Sequence, residues 1–491
     1  MELEQVSKEK EKVHRGIKRH IKRADSDMTS GSIWKLLITF ALPLAAGLLF
    51  QQLYNTVDTI VVGKFVGKEA LAAVGSTSSI INMLVGLCSG LSMGASVVIS
   101  QSYGAKDYVR LHDAVHTTIL VTIIMSVIAT GVGIAIVDPM LRMMSTPDDV
   151  FGAAHDYLTI YFAGISGLFI YNMGSAILRA VGDSRRPLYF LIFSAVLNVI
   201  LDLVFVIVFK MDIAGAAYAT IISQFLSAAL VLFVLTRSAG PYAIHWGHLC
   251  VKGNILKQVL SIGLPSGVQQ GLTSFSNVFV QSYVNAFGSD CMGWSSYNKL
   301  DVYALVPAQS IAMASTTFVG QNYGARKLER ARQGVKQALI MSISMTIFLC
   351  ALLLIFRDQL LTLFTNDSLV IQYGSRFIGM IAPFYFCTCF NQTFAGAMRG
   401  IGKAKVPMIV MLSSFVVFRQ IFLYVGTKLG GGFVLVSLAY PMGWVVCSIA
   451  MYVCYKRSAL CHPEKAQFAT ADTAKDENVE DAIETADEGI E

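Results

Sequence analysis

A chain of 491 residues with 54% hydrophobic and 14% charged residues has too few ionic side chains to cover itself in water, because soluble domains devote about a quarter of their residues to charge. Its mean hydropathy of +0.59 points the same way. The net charge is +6, and eight of the bases crowd one run before the first apolar stretch, a distribution that argues against a nucleic-acid surface and for a polytopic, all-α membrane protein.

That run holds Lys8, Lys10, Lys12, Arg15, Lys18, Arg19, Lys22 and Arg23. Residues 1–30 therefore read as a basic cytoplasmic tail lying against membrane lipids. It is not a cleavable signal, because charge dominates up to Met28 and the following apolar stretch is too long. Apolar segments long enough to cross a bilayer follow near 34–62, 71–99, 111–137, 152–178, 187–209 and 214–236. These make an N-terminal six-helix lobe over 31–236. The polar stretch 237–254, with Gly240-Pro241, reads as an inter-lobe cytoplasmic loop. Six more segments near 255–287, 293–320, 333–356, 371–398, 406–427 and 432–455 make a C-terminal lobe over 255–457. Residues 458–491 form an acidic tail with little to bury, expected to be disordered. Basic residues concentrate in the loops after even-numbered spans, as in Lys106, Arg110, Arg326 and Lys327. Both termini are therefore expected to be cytoplasmic.

The two halves repeat. The stretch from Ser100, SQSYGAKDYVRL, returns from Gly320 as GQNYGARKLERA, and LRAVGDSRRP ending at Pro187 returns as MRGIGKAKVP ending at Pro407. Pro43 and Pro265 match in the first and seventh spans. Six spans per half preserve orientation, so the repeat is parallel, with a substrate cavity expected between the halves. Gly86, Gly90 and Gly94 form a row of small residues suited to close helix approach. The Gln-Tyr-Gly turns are expected to shape cytoplasmic loops.

Acids inside apolar spans demand an account, since each costs about 3 kcal/mol at a helix centre on insertion scales. Gln51, Asn55 and Asp58 share one helical stripe, and Asn198 and Asp202 stand four apart on another span. Two facing carboxylates in a low dielectric must share a proton or bind a cation. A sodium ion would need several oxygens, to which Thr220 can add a hydroxyl. Carrying these positions forward by the repeat interval lands on Val280, Phe418 and Phe422, so one ion site is expected, in the first lobe. In the second lobe Asp301 and Arg419 are buried charges expected to pair, or else to touch the substrate cavity with Gln51 and Asn55. The numerous Met and Phe residues suit an adaptable cavity wall. Nine cysteines show no metal-ligand spacing, and no HExxH or Walker A motif is present, so neither an enzyme nor an ATP-driven pump is expected.

The stretch ALPLAAGLLFQQLYNTVDTIVVGKFVGKEALAAVG, followed by ISQSYGAKD and its second copy, resembles the multidrug and toxic compound extrusion (MATE) family, in its bacterial DinF-like and MepA-like branch. The resemblance covers about Ile33 to Tyr455. It implies a bacterial plasma-membrane antiporter, functional as a monomer, that exports cationic or amphipathic organic molecules against entering H⁺ or Na⁺ as two lobes rock. It also implies a cation or proton site at Asp58, Asn198, Asp202 and Thr220, with Tyr54 nearby. The acid found in the seventh span of other branches is absent here, where Gln269 and Gln270 stand. A lipid-linked oligosaccharide flippase of the same superfamily and a non-transporting membrane sensor remain as alternatives.

Overall fold

The computed structural model describes residues 27–66, 68–144, 146–286, 294–362, 367–430 and 432–466. Every regular element in them is helical, as apolar segments in lipid require, because helices satisfy their own backbone groups. The first lobe contains α1 (Ile33–Val61), α2 (Lys68–Ala105), α3 (Tyr108–Met143), α4 (Asp148–Ala163), α5 (Ile165–Ala180), α6 (Arg185–Asp202) and α7 (Asp212–Arg237). The second contains α8 (Gly253–Ala286), α9 (Trp294–Gly324), α10 (Leu328–Ile355), the short α11 (Arg357–Thr362), α12 (Ser368–Ile381), α13 (Tyr385–Gly400), α14 (Lys405–Leu412), α15 (Arg419–Lys428) and α16 (Phe433–Lys456). Helices occupy all twelve expected spans. Span four is the pair α4 and α5, bent by 47°. Span eleven is α14 and α15 joined by a π-helical stretch, Ser413–Phe418.

Among the described residues, nine helices are long and apolar enough to cross a bilayer, and the bent pair makes a tenth. The other two expected spans, α8 and the α12–α13 pair, are more polar, and some of their polar groups face protein. Ser276 donates to the Phe415 carbonyl at 3.0 Å, and Asn391 is bonded to Trp444. Lipid never meets these groups.

The glycine row on α2 joins the lobes. A Cβ at Gly90 would collide with the backbone of Gly267, and one at Gly94 with the backbone of Val259 and Gly263, all on α8. The first turns of α1 cross to the second lobe in the same way, where Leu37 and Phe40 pack against Ile311 and Phe318.

Both described chain ends pack against the protein at one pole. Met28, assigned to the tail, is fully buried, and its amide donates to Gln321 Oε1 at 3.0 Å. Leu460 is 2% exposed and packs in one cluster with Tyr323 and Ala331, so the second lobe runs past residue 457. These segments hold apolar side chains that the charged tails around them obscure. Residues 1–26 and 467–491 lie outside the described residues.

At this terminal pole the repeated Gln-Tyr-Gly turns face each other. Gln101 donates to the Gly400 carbonyl at 2.8 Å, and Gln321 donates to the Ala180 carbonyl at 2.8 Å. A Cβ at Gly104 would strike the Gln321 carbonyl, and one at Gly324 the Gln101 carbonyl. Only glycine allows the two turns this approach. They do more than shape loops, because each one binds the opposite lobe.

Candidate ion and substrate site

In the first lobe α1, α6 and α7 bring together the residues that the polar spacing singled out. Asp202 is fully buried and Asn198 is 3% exposed. The carboxylates of Asp58 and Asp202 stand close enough to act on one another, and Tyr54 and Tyr157 lie in the field of both. Asp58 Oδ1, both Asp202 carboxylate oxygens and both amide atoms of Asn198 are buried without a hydrogen-bond partner. Buried polar atoms are nearly always paired, so five orphans in one cluster mark an incomplete structure. A proton between the carboxylates or a cation among the oxygens would complete it. Thr220 Oγ1 donates to the Ala216 carbonyl at 3.0 Å, so its lone pairs remain for a cation. Immediately after Asp202 the helix widens into a π-helical stretch, Leu203–Val208. Such bulges recur at functional sites because they re-aim the neighbouring side chains.

Asp58, Asn198, Thr220, Tyr54, Gln51 and Asn55 all line one cavity of about 560 Å³ between the lobes. The second lobe contributes Gln269, Gln270, Gln309, Thr316 and Gln392 to it. Met and Phe contribute little to its wall, in keeping with the expectation that on any one helix they more often face lipid or packing. Met93 and Met313 are the only such residues in a lining otherwise rich in amides, hydroxyls and the tyrosines Tyr157, Tyr161 and Tyr171. The phenylalanines instead spread over the lipid-facing surface, as Phe193, Phe233 and Phe348 do.

Asp301 and Arg419 need correcting on both expectations. Neither lines the cavity, and among the described residues they form no ion pair. Tyr297 donates to Asp301 Oδ1 at 2.8 Å, and Tyr385 donates to the same oxygen. Arg419 donates to Ser276 Oγ at 2.9 Å and to Asn277 Oδ1 at 2.8 Å, and its guanidinium lies 4.7 Å from the Tyr440 ring centroid. Each charge thus has its own neutral partners, although Arg419 Nε is buried without one, within an aromatic cluster that includes Trp294 and Trp444.

Two cavity residues were overlooked as functional groups. Arg179 and Arg399 line the cavity, one from each lobe, and each is followed by the carbonyl that a crossing glutamine holds. Arg399 donates to Gln269 Oε1 at 3.0 Å, while its Nε is buried without a partner. The sequence signal existed, since they are matched repeat anchors.

The comparisons with known proteins agree with this architecture. The MatE family profile matches residues 43–204 and 265–425, one copy in each lobe. Probable multidrug resistance protein YpnP of Bacillus subtilis is 28% identical over 402 residues, which covers 81% of this chain and 89% of the relative. YoeA of the same organism, also described as a probable multidrug resistance protein, is 27% identical over 87% of this chain and 94% of its own length. A MOP superfamily transporter from Pyrococcus furiosus superposes with a TM-score of 0.83 at 25% identity, covering 88% of this chain and 98% of that one. With two matched copies of its domain, one on each side of the shared cavity, this chain belongs to the MATE family.

Proposed function

We propose that this protein is a secondary multidrug exporter that exchanges amphipathic or cationic organic molecules for H⁺ or Na⁺, with the terminal pole in the cytoplasm. The observation that carries this reading is the cluster of Asp58, Asn198 and Asp202 with its unpaired buried atoms, the first two at the cavity wall and Asp202 buried behind them. An entering proton or sodium ion neutralises the carboxylates, and a cationic substrate competes for the same charge. Occupancy by one therefore expels the other. Where one ion enters against a neutral amphipathic substrate the exchange is electrogenic, and the inward charge is worth about 2.3 kcal/mol per 100 mV of membrane potential, enough to hold a substrate gradient above tenfold. The lobes are pinned at the terminal pole in this structure, and the cycle requires those contacts to part.

Two arginines at the closed end favour a second reading, a carrier of lipid-linked molecules with anionic heads. The orphaned carboxylates weigh against it.

The test is efflux of a fluorescent lipophilic cation from proteoliposomes under separately imposed Na⁺ and pH gradients, using wild type, Asp58→Asn and Asp202→Asn. Wild-type efflux driven by one gradient and lost in both variants is the expected result. Equal rates in all three proteins overturn the assignment.

A further inference from the structure

The paired Gln-Tyr-Gly turns form a second cavity that transport through the central one does not use. It measures about 500 Å³ and lies at the terminal pole, between the ends of α2 and α9. The first lobe lines it with Gln101, Gly104, Lys106, Asp107 and Arg110, and the second with Tyr323, Gly324, Arg326 and Lys327. Four basic side chains therefore meet a single acid. That acid, Asp107, already accepts from the Arg110 backbone amide at 3.0 Å.

Three of the bases, Lys106, Arg110 and Lys327, are held without being neutralised. The Lys106 ammonium has no partner among the described residues. Arg110 donates to the neutral amide of Gln258 at 2.6 Å, and Lys327 donates to the Thr29 carbonyl at 2.9 Å. Lys106 and Arg326 occupy equivalent left-handed positions, φ 59° and 57°, where each helix ends. The repeat thus brings one base from each lobe to the same opening. The preference for basic loops on one side of a membrane explains why such residues occur at this pole. It does not explain four of them converging on one enclosed space across the lobe boundary.

We propose that this cavity binds a phosphate-bearing anion. Guanidinium groups present planar forks that fit phosphate oxygens, and ammonium groups add compact charge. The ligand would bridge both lobes, so it would bind only while the terminal pole is closed and would hold the transporter in that state. The phosphate is either a soluble phosphate ester or a phospholipid headgroup reaching in from the membrane surface.

The experiment uses the full chain in neutral detergent, titrated calorimetrically with inorganic tripolyphosphate. In parallel, thermal unfolding is followed in nanodiscs of phosphatidylcholine with or without phosphatidic acid. Wild type and Lys428→Gln, altered at the other end of span eleven, are expected to bind saturably. Lys106→Gln and Arg326→Gln should each weaken binding at least about tenfold, while Arg326→Lys, which keeps the charge, reports that the fold survives and stays closer to wild type. Tripolyphosphate binding assigns a soluble ligand. Stabilisation by phosphatidic acid alone, lost in the two glutamine variants, assigns a lipid headgroup. Absence of both effects in wild type, or equal effects in wild type and the glutamine variants, overturns the proposal.

Discussion

The two lobes share a fold and a repeat but handle buried charge in opposite ways. In the first lobe Asp202 is fully buried with neither carboxylate oxygen bonded, facing Asp58. In the second, Asp301 takes hydrogen bonds from two tyrosines. The positions that match Asn198 and Asp202 are Phe418 and Phe422, stacked with ring centroids 6.2 Å apart. The position that matches Asp58 is the fully buried Val280. A satisfied carboxylate contributes to one stable structure. An unsatisfied one is what the proposed coupling site requires, since a proton or cation would complete it. Duplication supplied two similar scaffolds, and only one retains this instability.

The contrast is broken most severely by exchanging each acid for its amide. Asp202→Asn should reduce ion-driven efflux to background while leaving the midpoint of thermal unfolding no lower than wild type, because no hydrogen bond is lost and an uncompensated charge is removed. Asp301→Asn should do the reverse. The amide presents a donor or a poorer acceptor to Tyr297 and Tyr385, so stability falls by about 1–3 kcal/mol, while efflux per folded molecule stays within a few-fold of wild type. Unfolding curves and efflux measured on the same preparations check both. A destabilised Asp202→Asn with normal efflux would mean that its carboxylate is structural.

How much of this could be read from the sequence depends on how rare each residue type is in a membrane span. Acids are costly there, so Asp58, Asn198 and Asp202 stood out by spacing alone, and the internal repeat showed which lobe lacked them. Span number followed from length and apolarity, including α8, whose polar groups would have counted against it had the repeat not demanded a seventh span. Tyrosine carries no such cost, so Tyr157 beside both carboxylates was invisible. The partner of Asp301 was misassigned because the choice among Arg419, Tyr297 and Tyr385 is made by tertiary packing across 84 residues of sequence. The polar character of the cavity wall was not legible for a related reason. Apolar composition is dictated by lipid on the outside, and says little about a polar interior.

A second way to sharpen the comparison tests where the lobes are alike. Gly104 and Gly324 each abut the carbonyl of the other repeat's glutamine. Gly104→Ala and Gly324→Ala should each disfavour the closed terminal pole by on the order of 2 kcal/mol, the usual cost of overpacking. Spin labels on Ala105 and Ala325 in an otherwise cysteine-free chain should report a wider, broader distance distribution in both variants. The two effects should be equal within experimental error. A large effect from one glycine and none from the other would show that the pseudo-symmetry of the turns is only apparent.

The smallest effect belongs to the crossing glutamines. Gln101→Ala removes one donor from the Gly400 carbonyl, and Gln321→Ala one from the Ala180 carbonyl. Each bond contributes about 1 kcal/mol net, so either variant should shift the spin-label distribution in the same direction as the glycine variants but less far. The two are not interchangeable, however. Gln321 Oε1 also accepts from the buried Met28 amide, so its loss frees the segment that leads into α1. Gln321→Ala should therefore exceed Gln101→Ala in exposing the terminal pole, measured as hydrogen exchange at Met28 and Thr29. Identical exchange in the two variants would mean that this segment is held by Asn322, Lys327 and Arg330 alone, whose bonds to the carbonyls of Met28, Thr29, Ser30 and Gly31 neither substitution touches.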